Sequence, residues 1–206
     1  MESELSGNEE SILAKLDQEK AKVLALAASV RASYKNTKIG VYEDMLCDVM
    51  ESDDMAYGFG LWFEPKVYDK TKKLVGPYAY MDGSSAVITY DYSTEEYDYL
   101  SQDYYTMAKA NTSPIMTDPF YDETSGIMMA SISAPIIENG TFIGCVSIDI
   151  GLEAINEIVE SVQVGEAGSA LLISDSGAFI AGVDSSKISS QAKITAESEI
   201  GRASCR

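Results

Sequence analysis

The chain contains no histidine. Its absence removes the commonest general base, the usual activator of a serine or cysteine nucleophile, and the commonest zinc ligand. Cysteine is scarce as well. Cys47, Cys145 and Cys205 stand far apart without a C-x-x-C pair, so they form neither a metal site nor a disulfide framework, and three cannot all pair. Cys145 lies in an apolar run and reads as a small core residue. No G-x-S-x-G elbow occurs, and Ser131 and Ser133 have no histidine partner. Paired acids such as Asp118 and Asp122 are common in turns, and nothing beside them completes a catalytic constellation. Asp53, Asp54, Asp98 and Asp103 offer further oxygens, yet no D-x-D-x-D-G calcium loop is present. The expectation is a protein that is not an enzyme, with no metal and no cofactor.

Positive charge is the next shortage. Fifteen Lys and Arg stand against 33 Asp and Glu, a formal net charge of −18. Such a surface repels phosphate backbones, and no basic cluster makes a local exception, which excludes a nucleic-acid partner. The acidity serves solubility, or it favours cationic or amine ligands. Long apolar runs are missing too. The longest, Val23 to Val30, falls far short of the roughly 20 residues that span a bilayer. A membrane-anchored parent protein would carry its spans elsewhere, and both ends of the chain are compatible with trimming.

What is present is enough to bury a core: 206 residues, 46% hydrophobic and 9% aromatic, fit one or two domains. Ile12, Leu16, Val23, Leu26 and Val30 recur at helical spacing, predicting one long helix from about Asn8 to Tyr34. Val41, Met45, Leu46, Val49 and Met50 predict a second. The texture then turns to strands, with Ala56 to Phe63 alternating glycine and bulky residues. Two further strands, Leu74 to Met81 and Ser85 to Tyr90, flank Asp82-Gly83. Thr94 to Ala110 reads as a helix, and Pro114 and Pro119 bracket a short extended piece.

The strongest local signal is a hairpin, Ile127 to Ile137 and Thr141 to Ile150, joined by Asn139-Gly140 in a type I′ turn. A two-residue loop with unbroken register sets Asp149 opposite Ala130. One face then holds Met128, Ala130, Ile132, Ala134 and Ile136 beside Ile143, Cys145, Ser147 and Asp149. Both faces are largely apolar, so the sheet is expected to be covered on both sides, and Asp149 sits in an expensive place for a carboxylate. A helix from Leu152 to Val162 follows, then a short hairpin, Ser169 to Ile173 and Ala178 to Ala181, around Asp175-Ser176-Gly177.

Four stretches in this order carry a family resemblance. They are Thr117-Asp118-Pro119-Phe120-Tyr121-Asp122, Ile132-Ser133-Ala134-Pro135-Ile136, Phe142 to Ile150, and Gly165-Glu166-Ala167-Gly168-Ser169-Ala170-Leu171-Leu172-Ile173 with Gly177. From about residue 8 to 184 the chain resembles the double Cache domain of bacterial receptors. The resemblance implies an α+β fold, a long amino-terminal helix followed by PAS-like units with central antiparallel sheets. Residues 1–36 would form the helix, 37–150 the membrane-distal ligand-binding unit, and 151–206 a connecting helix with an incomplete proximal unit. It also implies the extracellular or periplasmic part of a membrane-anchored chemoreceptor or histidine kinase, with a homodimer through the first helix.

Members of that family that bind amino acids share a set of pocket residues, and several positions here match it. Tyr97 matches a tyrosine, Tyr104 and Tyr105 stand where a tryptophan-tyrosine pair would be, Phe120 and Asp122 match a turn, and Asp149 matches a strand end. Gln102 replaces the arginine that clamps the ligand's carboxylate, and glutamine brings neither charge nor a bidentate fork. The resemblance with this departure implies a small amine, amino-acid-like or other polar ligand. Asp122 and Asp149 would hold an ammonium, and tyrosine faces would add cation–π attraction. Nine of the 13 tyrosines fall between Tyr78 and Tyr121, which points to the same region. Each residue also has a structural reading: core aromatics for the tyrosines and Trp62, a turn for Asp122, a helix cap for Asp149. The rival function is a structural or dimerisation module without a ligand.

Overall fold

The computed structural model describes residues 2–123, 125–160, 170–174, 176–183 and 188. Helix α1 spans Glu2–Ser33 and α2 spans Ile39–Glu51, followed by strands β1 (Ala56–Phe63), β2 (Tyr78–Asp82) and β3 (Ser85–Thr89). Helix α3 (Asp103–Ala110), short strands β4 (Ile115–Met116) and β5 (Phe120–Asp122), and the long pair β6 (Ile127–Glu138) and β7 (Thr141–Gly151) come next. Helix α4 (Leu152–Glu160) leads to a small hairpin, β8 (Leu172–Ile173) and β9 (Phe179–Ala181). The α+β architecture with an amino-terminal helix is as expected. The last two residues of the helix expected after the main hairpin, Ser169 of the small hairpin, and the tail beyond Val183 apart from Ile188 lie outside the described residues.

Strands β1 to β7 form one antiparallel sheet, ordered β3-β2-β1-β7-β6-β4, with β5 also pairing to β6. Because successive side chains of a strand point to opposite faces, each strand divides its residues between two layers. Phe59, Leu61 and Phe63 of β1, Ala130, Ile132, Ala134 and Ile136 of β6, and Val146, Ile148 and Ile150 of β7 join one aliphatic core. That core is closed by Leu16, Val23, Leu26, Ala27 and Val30 of α1 and by Tyr42, Leu46 and Met50 of α2. The i, i+3, i+4 spacing of the α1 set explains why the helix lies along the sheet with one stripe down.

One position in that stripe is not apolar. Glu19 is buried, and Lys22 one turn on donates to it at 2.8 Å and to Asp53 at 2.5 Å. Asp53 also accepts the backbone N–H groups of Met55 and Ala56, each at 2.8 Å. This charge cluster ties α1 to the start of β1.

Two expectations are corrected. The helix expected over Thr94 to Ala110 is broken: only Asp103–Ala110 is α-helical, after a 3₁₀ turn at Tyr99–Ser101. Asp98 has a left-handed backbone (φ 48°) and Gln102 an extended one (ψ 150°). Thr94 accepts the N–H of Tyr97 on its hydroxyl at 3.2 Å, one of the local side-chain bonds that compete with helix. Tyr97 therefore lies outside α3.

The second correction concerns register. Asn139 and Gly140 both have positive φ (51° and 78°), as the type I′ turn requires, and Glu138 faces Thr141. Ile137 then faces Phe142 but Ile136 faces Gly144, so Ile143 is the extra residue of a β-bulge. Past the bulge every pairing moves by one, and Asp149 faces Ser131 rather than Ala130. Gly144 (φ 152°) is what the bulge demands: an added Cβ would lie 2.3 Å from the Trp62 carbonyl oxygen of the neighbouring strand.

Candidate ligand-binding cavity

The shifted register collects the polar residues of the hairpin on the face away from α1. Ser131, Ser133, Ser147 and Asp149 are all buried there. Gly58 and Gly60 of β1 lie directly across from Asp149 and Ser147. Neither glycine is replaceable without displacing an aromatic ring. A Cβ on Gly60 would sit 2.3 Å from the Trp62 indole, and one on Gly58 would sit 2.1 Å from the Tyr78 hydroxyl. The indole thus lies back over Gly60, and its N–H donates to Ser147 at 2.9 Å. Tyr78 crosses Gly58 and donates to Oδ2 of Asp149 at 2.9 Å. Ser131 donates to the other carboxylate oxygen of Asp149.

Around this floor stand the aromatics of the 78–105 region. Trp62, Tyr78, Tyr92, Tyr97, Tyr104, Phe120, Asp122, Met129 and Asp149 line a cleft of ≈ 230 Å³ including its mouth. The rings close in on one another: Tyr78 to Tyr92 at 4.8 Å, Tyr92 to Tyr97 at 4.9 Å, Trp62 to Tyr104 at 5.3 Å between centroids. The enclosed part has room for about one water molecule. Asp122 is 5% exposed and Asp149 7%. Tyr92 donates to Oδ2 of Asp122 at 3.2 Å, and the Ser125 N–H reaches the same oxygen at 2.8 Å.

Among the described residues that line the cleft, none is Lys or Arg. Burial pushes the Asp149 carboxyl up from 3.8 to about 6; the hydrogen bonds from Ser131 and Tyr78 oppose the rise, and the nearby Asp122 adds to it. Keeping Asp149 ionised at neutral pH therefore costs roughly 3 kcal/mol. Burial, then the neighbouring carboxylates, also push the phenols of Tyr78 and Tyr92 well up. They remain protonated donors. The result is a buried anionic pocket with aromatic walls, suited by its chemistry to a small cation.

Of the seven residues singled out in the sequence, the structure brings Tyr97, Tyr104, Phe120, Asp122 and Asp149 to this one cleft. Gln102 and Tyr105 do not line it. Gln102 turns its amide back to the Tyr97 carbonyl at 3.0 Å. Tyr105 is buried in the same aromatic cluster as Tyr104 but turns elsewhere: its hydroxyl donates to Glu64 at 2.7 Å and its ring packs edge-on against Phe142 at 5.4 Å. Adjacent helix positions point about 100° apart, so Tyr104 and Tyr105 cannot both face the same cavity. Sequence reasoning did not single out Tyr78, Tyr92 or Met129 and left Trp62 open between core and ligand wall. The glycine–aromatic alternation of β1 was the available signal, since a glycine row on one face of a strand leaves space for rings.

Residues 42–157 match the family described as methyl-accepting chemotaxis protein-like, first PDC sensor domain. The chain is 32% identical over 88 residues to the methyl-accepting chemotaxis protein McpC of Bacillus subtilis (strain 168), covering 42% of this chain and 13% of that protein. The stretch thus spans about one seventh or less of the curated relatives it matches. Among solved structures, the extracellular domain of the histidine kinase mmHK1S-Z2 superposes with a TM-score of 0.73 at 24% identity, covering 92% of this chain and 74% of that one. The ligand-binding domain of the Pseudomonas aeruginosa PAO1 amino acid chemoreceptor PctC, in complex with GABA, gives 0.62 at 21% identity over 91% of this chain and 79% of that one. These likenesses show a shared fold.

Proposed function

The chain belongs to the methyl-accepting chemotaxis protein-like family of first PDC sensor domains, and from that premise we propose that it is the ligand-binding part of a transmembrane signalling receptor, facing the cell exterior or periplasm and performing no catalysis. Residues 37–150 form the ligand unit in this reading, with α4 and the β8–β9 hairpin leading out of it. Its ligand is a small amine.

One observation carries the choice of ligand: two buried carboxylates and five Trp or Tyr rings meet in one cleft whose described lining holds no basic side chain. An α-amino acid would bring a carboxylate into that cleft with no cation to meet it, beside Asp122 and Asp149. An amine brings only the charge that the two acids lack. The GABA complex of PctC supports the general scale of ligand, a small polar metabolite.

The test is a thermal-shift screen of amines, amino acids and short carboxylates, repeated on Asp149→Ala. A ligand at 100 times its Kd should stabilise the fold by about 2.7 kcal/mol, and Asp149→Ala should abolish that gain while the domain still unfolds cooperatively. Stabilisation by carboxylates alone, or by nothing in the panel, would overturn the reading.

A further inference from the structure

We propose that a second groove, between the β1–β2 loop and the start of α2, binds small monocarboxylates with an apolar ring. This site is separate from the tyrosine cleft and goes beyond the function proposed above.

Room comes first. Ile39, Tyr68, Leu74, Val75 and Tyr90 make the apolar walls of the groove, which shares no lining residue with the cleft. It measures ≈ 520 Å³ including its mouth, and ≈ 180 Å³ of that admits the centre of a water-sized molecule, against ≈ 10 Å³ in the cleft. An apolar cavity of about 150 Å³ takes up benzene, so the room suits a six-membered ring. The polar ends of the walls are fastened within the chain. Tyr68 donates to the Thr37 carbonyl and Ser93 to the Gly76 carbonyl, each at 2.8 Å, and Tyr90 donates to Glu43. Ring faces and aliphatic side chains are what remain for a ligand, which calls for an apolar body.

Charge sets the sign of the rest. Only five Lys or Arg occur between residues 39 and 150, and four of them, Lys66, Lys70, Lys72 and Lys73, crowd into the β1–β2 loop. All four are exposed. The bond from Tyr68 to Thr37 brings this loop against Lys38, another exposed lysine, just ahead of Ile39. None of these lysines forms a salt bridge among the described residues, whereas Lys109 pairs with Glu64 at 2.8 Å. The acids nearest the tyrosines of the groove are Glu43 and Asp69. Glu43 accepts the Tyr90 hydroxyl, and Asp69 holds its turn by accepting the N–H and hydroxyl of Thr71 at 2.8 and 2.7 Å. A locally positive loop on a chain of net charge −18 thus borders a ring-sized groove.

Lys72 is the one of these lysines that lines it. Its ammonium can meet a carboxylate by a charge-assisted hydrogen bond while the ring lies on the apolar walls. The others act from further off, through a field that salt screens beyond about 8 Å. They speed the approach of an anion more than they hold it. The acidic remainder of the surface still repels a polyanion, so the fitting partner is a small molecule.

Methyl NMR titrations of the intact domain at pH 7.5 and low salt test this with benzoate, benzyl alcohol, benzylamine and acetate. Ile39 and Val75 report the groove, and Met129 reports the cleft. Benzoate should move the Ile39 and Val75 signals at about tenfold lower concentration than benzyl alcohol and leave Met129 in place. Acetate and benzylamine should leave the groove signals unmoved. Lys72→Met, a change at an exposed position, should weaken benzoate about tenfold. Any of the other three probes matching benzoate in the groove, benzoate shifts at Met129 alone, unchanged affinity in Lys72→Met, or no shift with any probe would overturn the assignment. The amine reading of the cleft stands or falls separately, because Asp149→Ala leaves every residue of the groove in place.

Discussion

On the helix-covered face of the sheet, Glu19 and Asp53 are buried around one ammonium, with Lys22 at 2.8 and 2.5 Å. On the tyrosine face, Asp122 and Asp149 are buried around hydroxyls and an N–H, with no Lys or Arg among the described residues lining their cleft. Hydroxyls orient a carboxylate and soften its desolvation, but they do not neutralise it. The first pair is a joint that shares one internal cation, which offsets one of its two negative charges. The second is balanced only by a proton or by a cation from outside. Chains rarely bury acids without a partner, so under the proposed function the contrast separates a structural use of buried charge from a binding use.

The two faces should respond in opposite senses to removal of charge. Lys22→Met strands two buried acids, and should lower the unfolding free energy in urea by about 3 kcal/mol; a loss below roughly 1 kcal/mol would make the joint an ordinary surface pair.

Asp149→Asn should instead stabilise the unliganded domain at pH 7.5, by about 2 kcal/mol. The sign follows from Asp149 holding its proton to about 6 in the fold against 3.8 in the unfolded chain. Between those values the native state binds more protons, so stability falls as pH rises, and the penalty is complete above about pH 6. The advantage of Asp149→Asn over wild type should therefore be small near pH 4, grow through this window and level off. A variant less stable than wild type at pH 7.5 would make Asp149 a structural residue like Asp53.

Smaller effects sharpen the boundary of the site. Gly58→Ala should push Tyr78 off Asp149, costing about 1–2 kcal/mol and most of the ligand-induced stabilisation, both read by thermal shift. Tyr105→Phe should lose only the bond to Glu64, about 1 kcal/mol or less, with ligand affinity unchanged in calorimetry.

Much of the fold was legible in the sequence. The apolar spacing of α1, the glycine-rich texture of β1 and the Asn139-Gly140 turn all correspond to elements seen in the structure. The side on which Asp149 lies was not legible. A hairpin read outward from its turn keeps its register only while no residue is added, and the bulge at Ile143 moves Asp149 from Ala130 to Ser131. Nothing in local propensity announces that bulge beyond Gly144, whose need for space arises from Trp62 on another strand. The tyrosines show the same limit. Tyr97, Tyr104 and Tyr105 read as one helical stripe, but the break at Asp98 and Gln102 takes Tyr97 out of the helix, and within the helix Tyr105 points about 100° away from Tyr104, so that Tyr97 and Tyr104 line the cleft and Tyr105 does not. Tyr78 and Tyr92 reach the acids only through sheet pairing and loop closure, which sequence spacing does not report.

The most direct test of the central claim is a carbon-13 carboxyl NMR titration of Asp149, assigned by loss of its signal in Asp149→Asn. The account predicts a midpoint near 6 in the free domain, falling by roughly one pH unit or more once the domain is saturated with a bound amine cation. A midpoint that such a cation leaves unmoved would contradict it.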